Sequence, residues 1–543
     1  QTYEQRSSLI RNGLTYKGSL TEDLSIDVLL GQEFRNTNYK GLKSNTFGYF
    51  HDRGNTFYEP ALGESTGHLK RNKVTRSLVD RSNISYYGVV SAMYGDRYVL
   101  NANIRFDGSN LFGSNPKYRY LPLWSISGRW IISNESFLQD NNTISNLALR
   151  ASYGLRGNIV EDSSPSIIAA ALPPNAVTGL FEMEIQQAPN PDLKWETTAS
   201  FNVGLELGLF DDRLSLDVDY YLDESKDLIA YKSVSSVSGF SGKYVNYADV
   251  RNQGIDVSLS GTLLKNKDWR WTAAFNMGYV KNKVTKSTST AQAKYLVQSV
   301  YTPGEVYEGK PVDGMFSYRF AKLDDKGMPM FYDKDGNVLG VDSEEIVNYP
   351  YDLGNLKYEG TRDPLFSGGL NTRVSYKNVS LSMLFAFGLK NVVRLPARAY
   401  VTTPAEDENA NSSIKDRWRP GQDNTGKTIP ALSAGDGYIT TADGNFYATD
   451  WYNLSDQTVV PGDYLRFRNL MIEYQLPARW TNKVVVGDRK MGNVTLKFQA
   501  QNLFVIADKR LKGYDPETIN YTTTSYGSLP LARTFTLGLN INF

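Results

Sequence analysis

The last eleven residues, Arg533-Thr534-Phe535-Thr536-Leu537-Gly538-Leu539-Asn540-Ile541-Asn542-Phe543, alternate strictly between two kinds of side chain. The odd-numbered positions from Phe535 to Phe543 are apolar, and the even-numbered positions are small or polar. Period two places all the apolar side chains on one face of a β-strand. About ten residues at the tilt of a membrane barrel cross the hydrocarbon core. This stretch therefore predicts a strand with one face suited to lipid and the other to water.

The same alternation recurs upstream of this strand. Residues 201–209 and 214–222 alternate on either side of a short Asp211-Asp212 turn, which predicts a β-hairpin. Three more segments repeat the pattern: 255–263, 379–387 and 494–500. Between Phe467 and Leu470 the alternation changes phase, which predicts a β-bulge. A half-buried sheet of a soluble protein alternates in the same way, so alternation alone leaves both fold classes open.

The lengths of the connections between the predicted strands distinguish a membrane barrel from a soluble sheet. Fifteen strands are predicted, at residues 7–18, 22–38, 80–94, 97–107, 119–133, 146–157, 195–210, 213–228, 249–264, 268–282, 364–377, 379–390, 463–476, 493–505 and 533–543. Short connections mostly alternate with longer ones, and the longest lie near 39–79, 158–194, 283–363 and 391–462. Outer-membrane barrels have short periplasmic turns and long extracellular loops. We therefore predict an all-β fold, a transmembrane antiparallel β-barrel whose long loops are extracellular.

One connection, at 477–492, is of medium length and departs from the alternation of short and long. Fifteen is also an odd number of strands, whereas bacterial barrels made of a single chain have an even number. We therefore expect residues 1–543 to be the C-terminal portion of a larger barrel.

Composition excludes several classes of protein. The 59 basic and 58 acidic residues give a net charge of +1, so the basic surface of a nucleic-acid binder is absent. There is no cysteine, and His51 and His68 are the only histidines. This inventory leaves little for a transition-metal site, a thiol nucleophile or a histidine-based triad. We therefore expect no catalytic residues, no cofactor and no metal, and the chain is predicted not to be an enzyme.

Two short motifs suggest ligand sites but fit turns better. Residues 421–428 match the phosphate-binding pattern G-x4-G-K-[ST], yet no apolar strand precedes them and Pro430 opposes a following helix. Residues 333–337 resemble a calcium loop but lack its later ligands, and their Asp335-Gly336 step favours a hairpin turn. Neither motif is assigned a ligand.

Acidic and aromatic residues of the long connections are also ambiguous. The pairs Asp324-Asp325 and Glu344-Glu345 have the composition of glycosidase carboxylates, but only their separation in space could show such a role. Solvated loop charges are the simpler interpretation. Four loop aromatics have the chemistry to stack on sugar rings or to pack against other loops: Tyr438, Phe446, Trp451 and Tyr452. We predict packing, and the substrate-binding residues remain unknown.

Several strings resemble SusC-like TonB-dependent transporters, which are also called RagA-like. Six of them lie in the second two thirds of the chain: PNPDLKWET (189–197), DVRNQGID (249–256), GDYLRFRNL (462–470), AQNLF (500–504), KGYDPE (512–517) and PLARTFTLG (530–538). Three more lie nearer the start: RY (97–98), RFDGS (105–109) and LRASYG (149–154). Each string is short, but their order and density from about residue 80 onwards identify the family.

The resemblance implies a twenty-two-stranded barrel that is filled by an N-terminal plug domain and capped by a SusD-like lipoprotein. The fifteen strands would be the last fifteen, and the plug and the segment that contacts TonB would not be in this chain. The implied function is active import of oligosaccharides, or of oligopeptides, across the outer membrane of a Gram-negative bacterium of the Bacteroidota type. The implied partners are the SusD-like lipoprotein, the TonB complex through the missing plug segment, the lipid bilayer and the oligomeric substrate, with no nucleic acid.

Two alternative functions stay open at this point. An enzyme embedded in a barrel would need a nucleophile and a base, and neither His51 nor His68 lies in a recognisable motif. A passive porin, or a surface adhesin, would have a similar barrel without a plug and without coupling to TonB. The terminal Phe543 also resembles the aromatic signal that the outer-membrane assembly machinery reads. We expect Phe543 to act as an assembly signal at the periplasmic rim.

Overall fold

The computed structural model of the chain describes most of the predicted strands and much of the long connections. The described residues are 2–44, 49–50, 56–57, 74–110, 120–139, 141–158, 160, 166–171, 178–180, 183–233, 242–287, 292–298, 306–396, 412–432, 437–441, 444–481, 485–486, 489–490, 492–519 and 529–542. They form two compact units. Unit 1 comprises residues 1–128, 153–197 and 231–246, and unit 2 comprises residues 129–152, 198–230 and 247–543.

Fifteen long strands form the main sheet of the described residues, and each coincides with one predicted strand. They are β1 (Thr2–Ser19), β2 (Leu24–Ser44), β3 (Val74–Tyr94), β4 (Tyr98–Ser109), β5 (Tyr120–Ile131), β6 (Ile144–Asn158), β7 (Glu196–Leu209), β8 (Leu214–Ser233), β9 (Gly242–Lys265), β10 (Trp269–Ser287), β11 (Phe366–Tyr376), β12 (Val379–Leu389), β13 (Tyr464–Gln475), β14 (Val494–Ala507) and β15 (Thr534–Ile541). Neighbouring strands follow chain order. The large antiparallel sheet that the alternation predicts is therefore confirmed.

In unit 1, β1 to β4 form a meander with long, regular ladders. Gly13 pairs with Gly31, and Leu30 pairs with Gly88 on the next strand. A Cβ atom added at Gly31 would lie 2.3 Å from the ring of Tyr87. Glycine at this position therefore lets the Tyr87 ring lie across the neighbouring strand.

In unit 2, the predicted hairpin of β7 and β8 turns where the alternation breaks. Phe210, Asp211 and Asp212 all have positive φ angles of 56° to 57°. The backbone N–H of Arg213 donates to the carbonyl of Phe210 at 3.2 Å and closes the turn. Phe210 breaks the alternation because it lies in this turn and not in a strand.

The two faces of the strands in unit 2 have opposite chemistry. On β15, Phe535, Leu537 and Leu539 are 62%, 84% and 60% exposed. Leu496 of β14, which pairs with Leu539, is 47% exposed on the same face. We call this face, which carries large exposed apolar side chains, the apolar face, and the opposite one the polar face. An exposed apolar surface of this extent indicates that the face is covered in its native setting.

The predicted bulge is confirmed by the strand registers. The pairing of β13 shifts at Phe467 and Asn469 against both β12 and β14. Arg468 is therefore an extra residue in the ladder, and Leu465 and Leu470 on either side of it both remain on the apolar face. Among the described residues, no helix is both long enough and apolar enough to cross a membrane.

Some predicted connections are shorter than expected because strands extend into them. β2 continues to Ser44 and β3 begins at Val74, so both occupy part of the predicted 39–79 loop. These extensions mix polar residues with apolar ones, and in the ladder Lys40 pairs with Leu78 and Tyr39 pairs with Val79. The regular alternation of apolar and polar residues ends before the hydrogen-bonded ladder does, which is why the predicted strands are too short.

Candidate functional site

Ion networks lie along the polar face of the strands. In unit 2, Arg129 donates to Glu206 at 2.5 Å, and Arg150 donates to Glu206 at 3.2 Å and to Asp219 at 2.5 Å. These four residues come from four consecutive strands, β5 to β8. Both arginines are about two fifths exposed, so each pair contributes at most about 1 kcal/mol of stability. The network therefore acts mainly to give this face a charged, hydrated surface.

Similar networks occur elsewhere on the same kind of surface. In unit 2, Glu473 accepts from Arg373 at 2.7 Å and lies 3.2 Å from the ammonium of Lys497. In unit 1, Arg11 donates to Glu33 at 2.6 Å. A surface that combines both signs of charge with amide and hydroxyl groups suits polar, hydrogen-bonding solutes.

The long connections that follow β10 and β12 fold together in unit 2 into one region with its own core, which we call the loop body. Its buried members are Leu296, Val297, Phe316, Tyr318, Phe331, Leu339, Ile346, Tyr349, Ile439, Ala448, Trp451 and Leu454. They come from two segments that are separated in sequence by β11 and β12. The two connections therefore form a folded structure with a fixed surface.

Four aromatic rings form the centre of the loop body. The ring of Tyr318 lies 4.9 Å from Trp451, 5.6 Å from Tyr349 and 6.2 Å from Phe331, measured between centroids. All four side chains are at most 4% exposed. Aromatic pairs at these distances add to the stability that burial of their area supplies.

A partly buried arginine connects the two segments of the loop body. The Arg394 guanidinium donates to the carbonyls of Phe316 at 2.8 Å and Ser455 at 3.0 Å, and to the hydroxyls of Ser317 and Thr458, both at 3.0 Å. Burial lowers the pKa of Arg394 to about 10. The charge is retained at neutral pH because a planar guanidinium can satisfy several fixed acceptors at once.

A tyrosine hydroxyl and a side-chain amide add further polar contacts to this core. The hydroxyl of Tyr349 donates to the carbonyl of Tyr332 at 2.9 Å, and the side chain of Asn355 donates to the carbonyl of Tyr349 at 3.0 Å. Burial raises the pKa of both Tyr318 and Tyr349 well above the ordinary value for tyrosine. Both phenols therefore remain neutral across the physiological range.

A buried ion cluster, in addition to the networks on the polar face, joins the start of β13 to the segment that follows β14. Arg466 donates to Asp515 and Glu517, Arg468 also donates to Glu517, and Asp515 accepts from the backbone N–H of Leu531 at 3.2 Å. Arg466 and Asp515 are each 2% exposed. This cluster was not predicted from the sequence, although its charged members lie in two of the strings that carry the family resemblance, 462–470 and 512–517.

The four aromatic residues predicted to pack do so to different extents. Trp451 and Tyr452 are buried, and Phe446 packs against the core of the loop body. Tyr438 is 39% exposed and forms a pair with Tyr447, with ring centroids 4.7 Å apart and a hydroxyl–hydroxyl hydrogen bond of 3.0 Å. Packing is confirmed for the first three, and the Tyr438–Tyr447 pair is a half-exposed aromatic surface.

The ambiguous acidic residues lie in turns or, for Glu344 and Glu345, at the start of the 3-10 helix Glu344–Tyr351. Asp333 accepts from the backbone N–H groups of Asp335 and Asn337 at 2.9 and 2.7 Å, in the turn between the short strands Pro329–Tyr332 and Val338–Leu339. The predicted hairpin turn at 333–337 is confirmed. Asp324 accepts from the N–H groups of Lys326 and Met328 in the preceding turn, and Glu345 accepts from the hydroxyl of Ser343.

The residues of the phosphate-loop pattern also form turns, between Arg417 and Ile429, which form a β-bridge. Asn424 caps them through hydrogen bonds to the backbone of Arg419. No group of three metal-ligating side chains occurs in the described ranges. His51, His68 and Phe543 lie outside the described residues.

Comparison with known proteins places this geometry in a family. Residues 1–503 match the family described as TonB dependent receptor-like, beta-barrel. TonB-dependent receptor P3 of Formosa agariphila is 29% identical over 500 residues, which cover 85% of this chain and 45% of that protein. TonB-dependent receptor SusC of Bacteroides thetaiotaomicron is 25% identical over 515 residues, which cover 90% of this chain and 45% of that protein. The chain spans about half the length of the curated relatives it matches.

Solved structures match the fold. A structure of the RagAB peptide transporter superposes with a TM-score of 0.76 at 23% identity, covering 100% of this chain and 56% of that chain. The RagAB peptide importer in its open-open state gives a TM-score of 0.77 at 23% identity, covering 100% of this chain and 55% of that chain. At this level of identity the match concerns the fold alone.

The predicted family, fold class and location are thereby confirmed. Members of this family are receptors and transporters of the bacterial outer membrane, not enzymes. The exposed apolar face of the strands and the charged polar face have the chemistry of a barrel wall between lipid and water. The chain belongs to the TonB-dependent receptor β-barrel family of the outer membrane, and it is similar to SusC in sequence and to the RagAB transporter in fold.

Proposed function

We propose that this chain supplies the barrel wall and the outer binding surface of an active importer of oligosaccharides, with oligopeptides as the second substrate class. The observation that carries the proposal is the loop body, in which two long connections share one aromatic core. A passive pore needs only an open channel, whereas a receptor needs a surface that is ordered before its ligand arrives. The loop body supplies such a surface.

The polar face supports the same proposal for the route of the substrate. Its networks, such as Arg373–Glu473–Lys497, offer hydrogen-bond donors and acceptors and charges of both signs. Polar oligomers can exchange hydrogen bonds with such a surface without a large desolvation cost. The pair Tyr438–Tyr447 adds half-exposed aromatic rings on the loop body, which suit the apolar faces of sugar rings.

We propose that other polypeptide segments couple transport to its energy source and cover the outer end of the barrel. We infer that a plug domain and a TonB-contacting segment belong to the complete protein, and that a SusD-like lipoprotein covers the loop body. Binding between the loops and the lipoprotein would retain the substrate, and displacement of the plug would release it inward. The reaction is transport, so chemical change of the substrate is not required.

The test is deletion of the complete gene in the native host, followed by growth on single glycans and single peptides as carbon or nitrogen source. We expect loss of growth on one oligomer class and normal growth on its monomer, which crosses general porins. Complementation with the wild-type gene restores growth, and complementation with a copy that lacks the TonB-contacting segment serves as the matched control.

The control separates active import from the passive alternatives. Import that requires TonB fails in the control strain, whereas a porin or an adhesin retains its full effect there. Equal growth of both complemented strains would overturn the proposal. Affinity purification of the complete protein from the native membrane tests the partner, since a SusD-like lipoprotein should copurify in equal amount.

A further inference from the structure

A cavity of about 660 Å³ lies at the end of β10, above the start of β11. Its wall combines lysine, tyrosine and proline side chains with a few acidic and amide groups. The lining residues used below are Tyr279, Lys281, Lys283, Lys310, Lys390 and Asn391. All of them belong to unit 2. The import function proposed above does not involve this cavity.

The register of β9 and β10 shows which face the cavity adjoins. The pairing from Ile255–Tyr279 to Arg251–Lys283 runs without a shift. Side chains therefore alternate regularly, and Tyr279, Lys281 and Lys283 share the apolar face with Met277. Three residues of the cavity wall thus continue the lipid-facing surface of β10.

Two aromatic pairs mark the limits of the hydrocarbon region on this face. Trp269 packs on Tyr376 with centroids 4.5 Å apart, and Tyr279 packs on Phe366 with centroids 4.9 Å apart. From position 269 to position 279 a strand rises about 33 Å, which at barrel tilt spans the apolar band of about 25 Å. Aromatic girdles at both interfaces are a general feature of such barrels.

The girdle at Tyr279 is the outer one. The turn beside Trp269 is short, and long connections follow the opposite end of β10. In outer-membrane barrels the short turns are periplasmic and the long loops are extracellular. Lys281 and Lys283 therefore lie just beyond the outer girdle, at the level of the lipid headgroups of the outer leaflet.

The cavity has an excess of positive charge. Lys281, Lys283 and Lys390 are exposed and Lys310 is half-buried. Within the described part of the chain, no carboxylate forms an ion pair with these four lysines. The ammonium of Lys310 lies 4.4 Å from the centre of the Tyr358 ring. Four ammonium groups at one site, none of them paired with a carboxylate of the described residues, favour a multiply charged anion.

The wall also contains an acceptor that suits a sugar. Asn391 is 5% exposed and its Oδ1 has no hydrogen-bond partner, while its amide group donates to the carbonyl of Arg362 at 3.2 Å. A buried acceptor without a partner is costly, and a ligand hydroxyl would satisfy it. Phosphate and hydroxyl groups on one molecule fit this combination of lysines and amide.

We propose that this cavity binds the phosphate-bearing sugar headgroup of a glycolipid from the outer leaflet. Lys281 and Lys283 contact the phosphate from the side of the membrane, and Lys310 and Lys390 contact it from the loops. The acyl chains lie along the apolar face below Tyr279. Such a lipid would fix the ends of β10 and β12 at a defined depth in the membrane.

The test uses the complete protein in nanodiscs of neutral lipid, with native mass spectrometry as the measurement of retained lipid. The ligands are phosphorylated lipid A, the same lipid without phosphate, and inorganic phosphate alone. The variant is Lys281→Gln/Lys283→Gln, and the control is Lys265→Gln/Lys267→Gln, which removes the same charge at the other end of the same hairpin. Each lysine near a membrane surface contributes about fivefold in affinity, so the double variant should bind about 25-fold more weakly.

The control variant and Lys281→Arg/Lys283→Arg should bind phosphorylated lipid A within about twofold of the wild type. Lipid A without phosphate should bind as weakly as the double Gln variant, and inorganic phosphate alone should not be retained. Two results would overturn the proposal: equal retention of the two lipids, or equal retention by the wild type and the double Gln variant. Retention of inorganic phosphate with equal affinity would overturn it as well, since the site would then bind a soluble ion. Unboiled gel mobility of each variant verifies that the barrel is folded.

Discussion

The loop body and the strands of unit 2 treat large apolar side chains in opposite ways. In the loop body Phe331 is 1% exposed, whereas on β15 Phe535 is 62% exposed and Leu537 is 84% exposed. One region has an interior of the kind found in water-soluble proteins, and the other presents its apolar residues outward to lipid. The loop body therefore packs its apolar residues away from water, and the strands present theirs to lipid. The same substitution should change the free energy of unfolding by different amounts in the two regions.

The largest effect is expected from removal of an aromatic ring in the loop body. Phe331→Ala should destabilise the loop body by about 3–5 kcal/mol, because it creates a cavity in a packed core. Hydrogen exchange of residues 314–361 in the complete protein should accelerate more than about a hundredfold, with the strands unchanged. The matched control is Phe535→Ala, in which the removed ring faces lipid and exchange should change little. Equal acceleration of hydrogen exchange by Phe331→Ala and Phe535→Ala would show that the two regions do not differ in this way.

Loss of a buried charged residue should likewise cost more stability than loss of an exposed one. Arg466→Gln leaves the buried carboxylate of Asp515 without its ion pair, so the contacts of residues 508–519 should weaken by about 3–5 kcal/mol. Arg373→Gln removes a half-exposed arginine from the polar face and should cost less than about 1 kcal/mol. Limited proteolysis after β14 distinguishes them, and similar cleavage rates would show that burial does not set the difference.

A lysine placed on each face of β15 tests the assignment of the two faces. Leu537→Lys should reduce the free energy of folding into bilayers by about 2–4 kcal/mol, because it moves a charge into hydrocarbon. Thr536→Lys, one residue away on the polar face, should have almost no effect. The measurement is urea-dependent folding into lipid vesicles. If Thr536→Lys were the more costly variant, the assignment of the faces would be reversed.

Alkaline pH should produce a smaller effect that is confined to the loop body. The raised pKa values of Tyr318 and Tyr349 mean that their contribution is complete below the ordinary tyrosine pKa of about 10 and is lost as the pH rises above it. The lowered pKa of Arg394, about 10, acts in the opposite direction over the same range. Each tyrosine lowers the free energy of unfolding as the pH rises, and Arg394 raises it. The net result is a decrease in the free energy of unfolding of roughly 1 kcal/mol per pH unit.

The measurement for this prediction is the urea midpoint of near-ultraviolet circular dichroism at pH 9, 10 and 11. The control is Tyr318→Phe/Tyr349→Phe, which removes both phenols and should abolish the alkaline decrease. Persistence of the same decrease in the double variant would assign it to other groups.

The sequence was sufficient for the strands because their pattern is local. The alternation around β15 and the change of phase near Phe467 depend only on neighbouring residues, and the structure has both. Even Phe210, which broke the alternation, marked the turn. The strand ends were less accurate, because residues 39–44 and 74–79 continue the ladder without a regular alternation of apolar and polar residues.

The loop body could not be predicted in the same way. Tyr318 and Trp451 form one stacked pair although two strands separate them in the chain, and no periodicity connects them. Arg394 gave no signal either, since its partners are mostly backbone carbonyls that any sequence would supply. The packing of Trp451 was predicted from its residue type, whereas its contacts required the three-dimensional structure.

The bulge at Arg468 has a consequence for how this gene can change. Along β13 the apolar stripe before the bulge is out of step by one residue with the stripe after it. A mutation that deletes Arg468 would leave Leu465, Phe467 and Leu470 two positions apart in turn, so a regular strand without the bulge would still place all three on the apolar face. Most single-residue deletions in a strand move the residues beyond them to the opposite face. Position 468 is therefore a point in β13 at which the gene can lose one codon without exchanging the lipid-facing and water-facing residues.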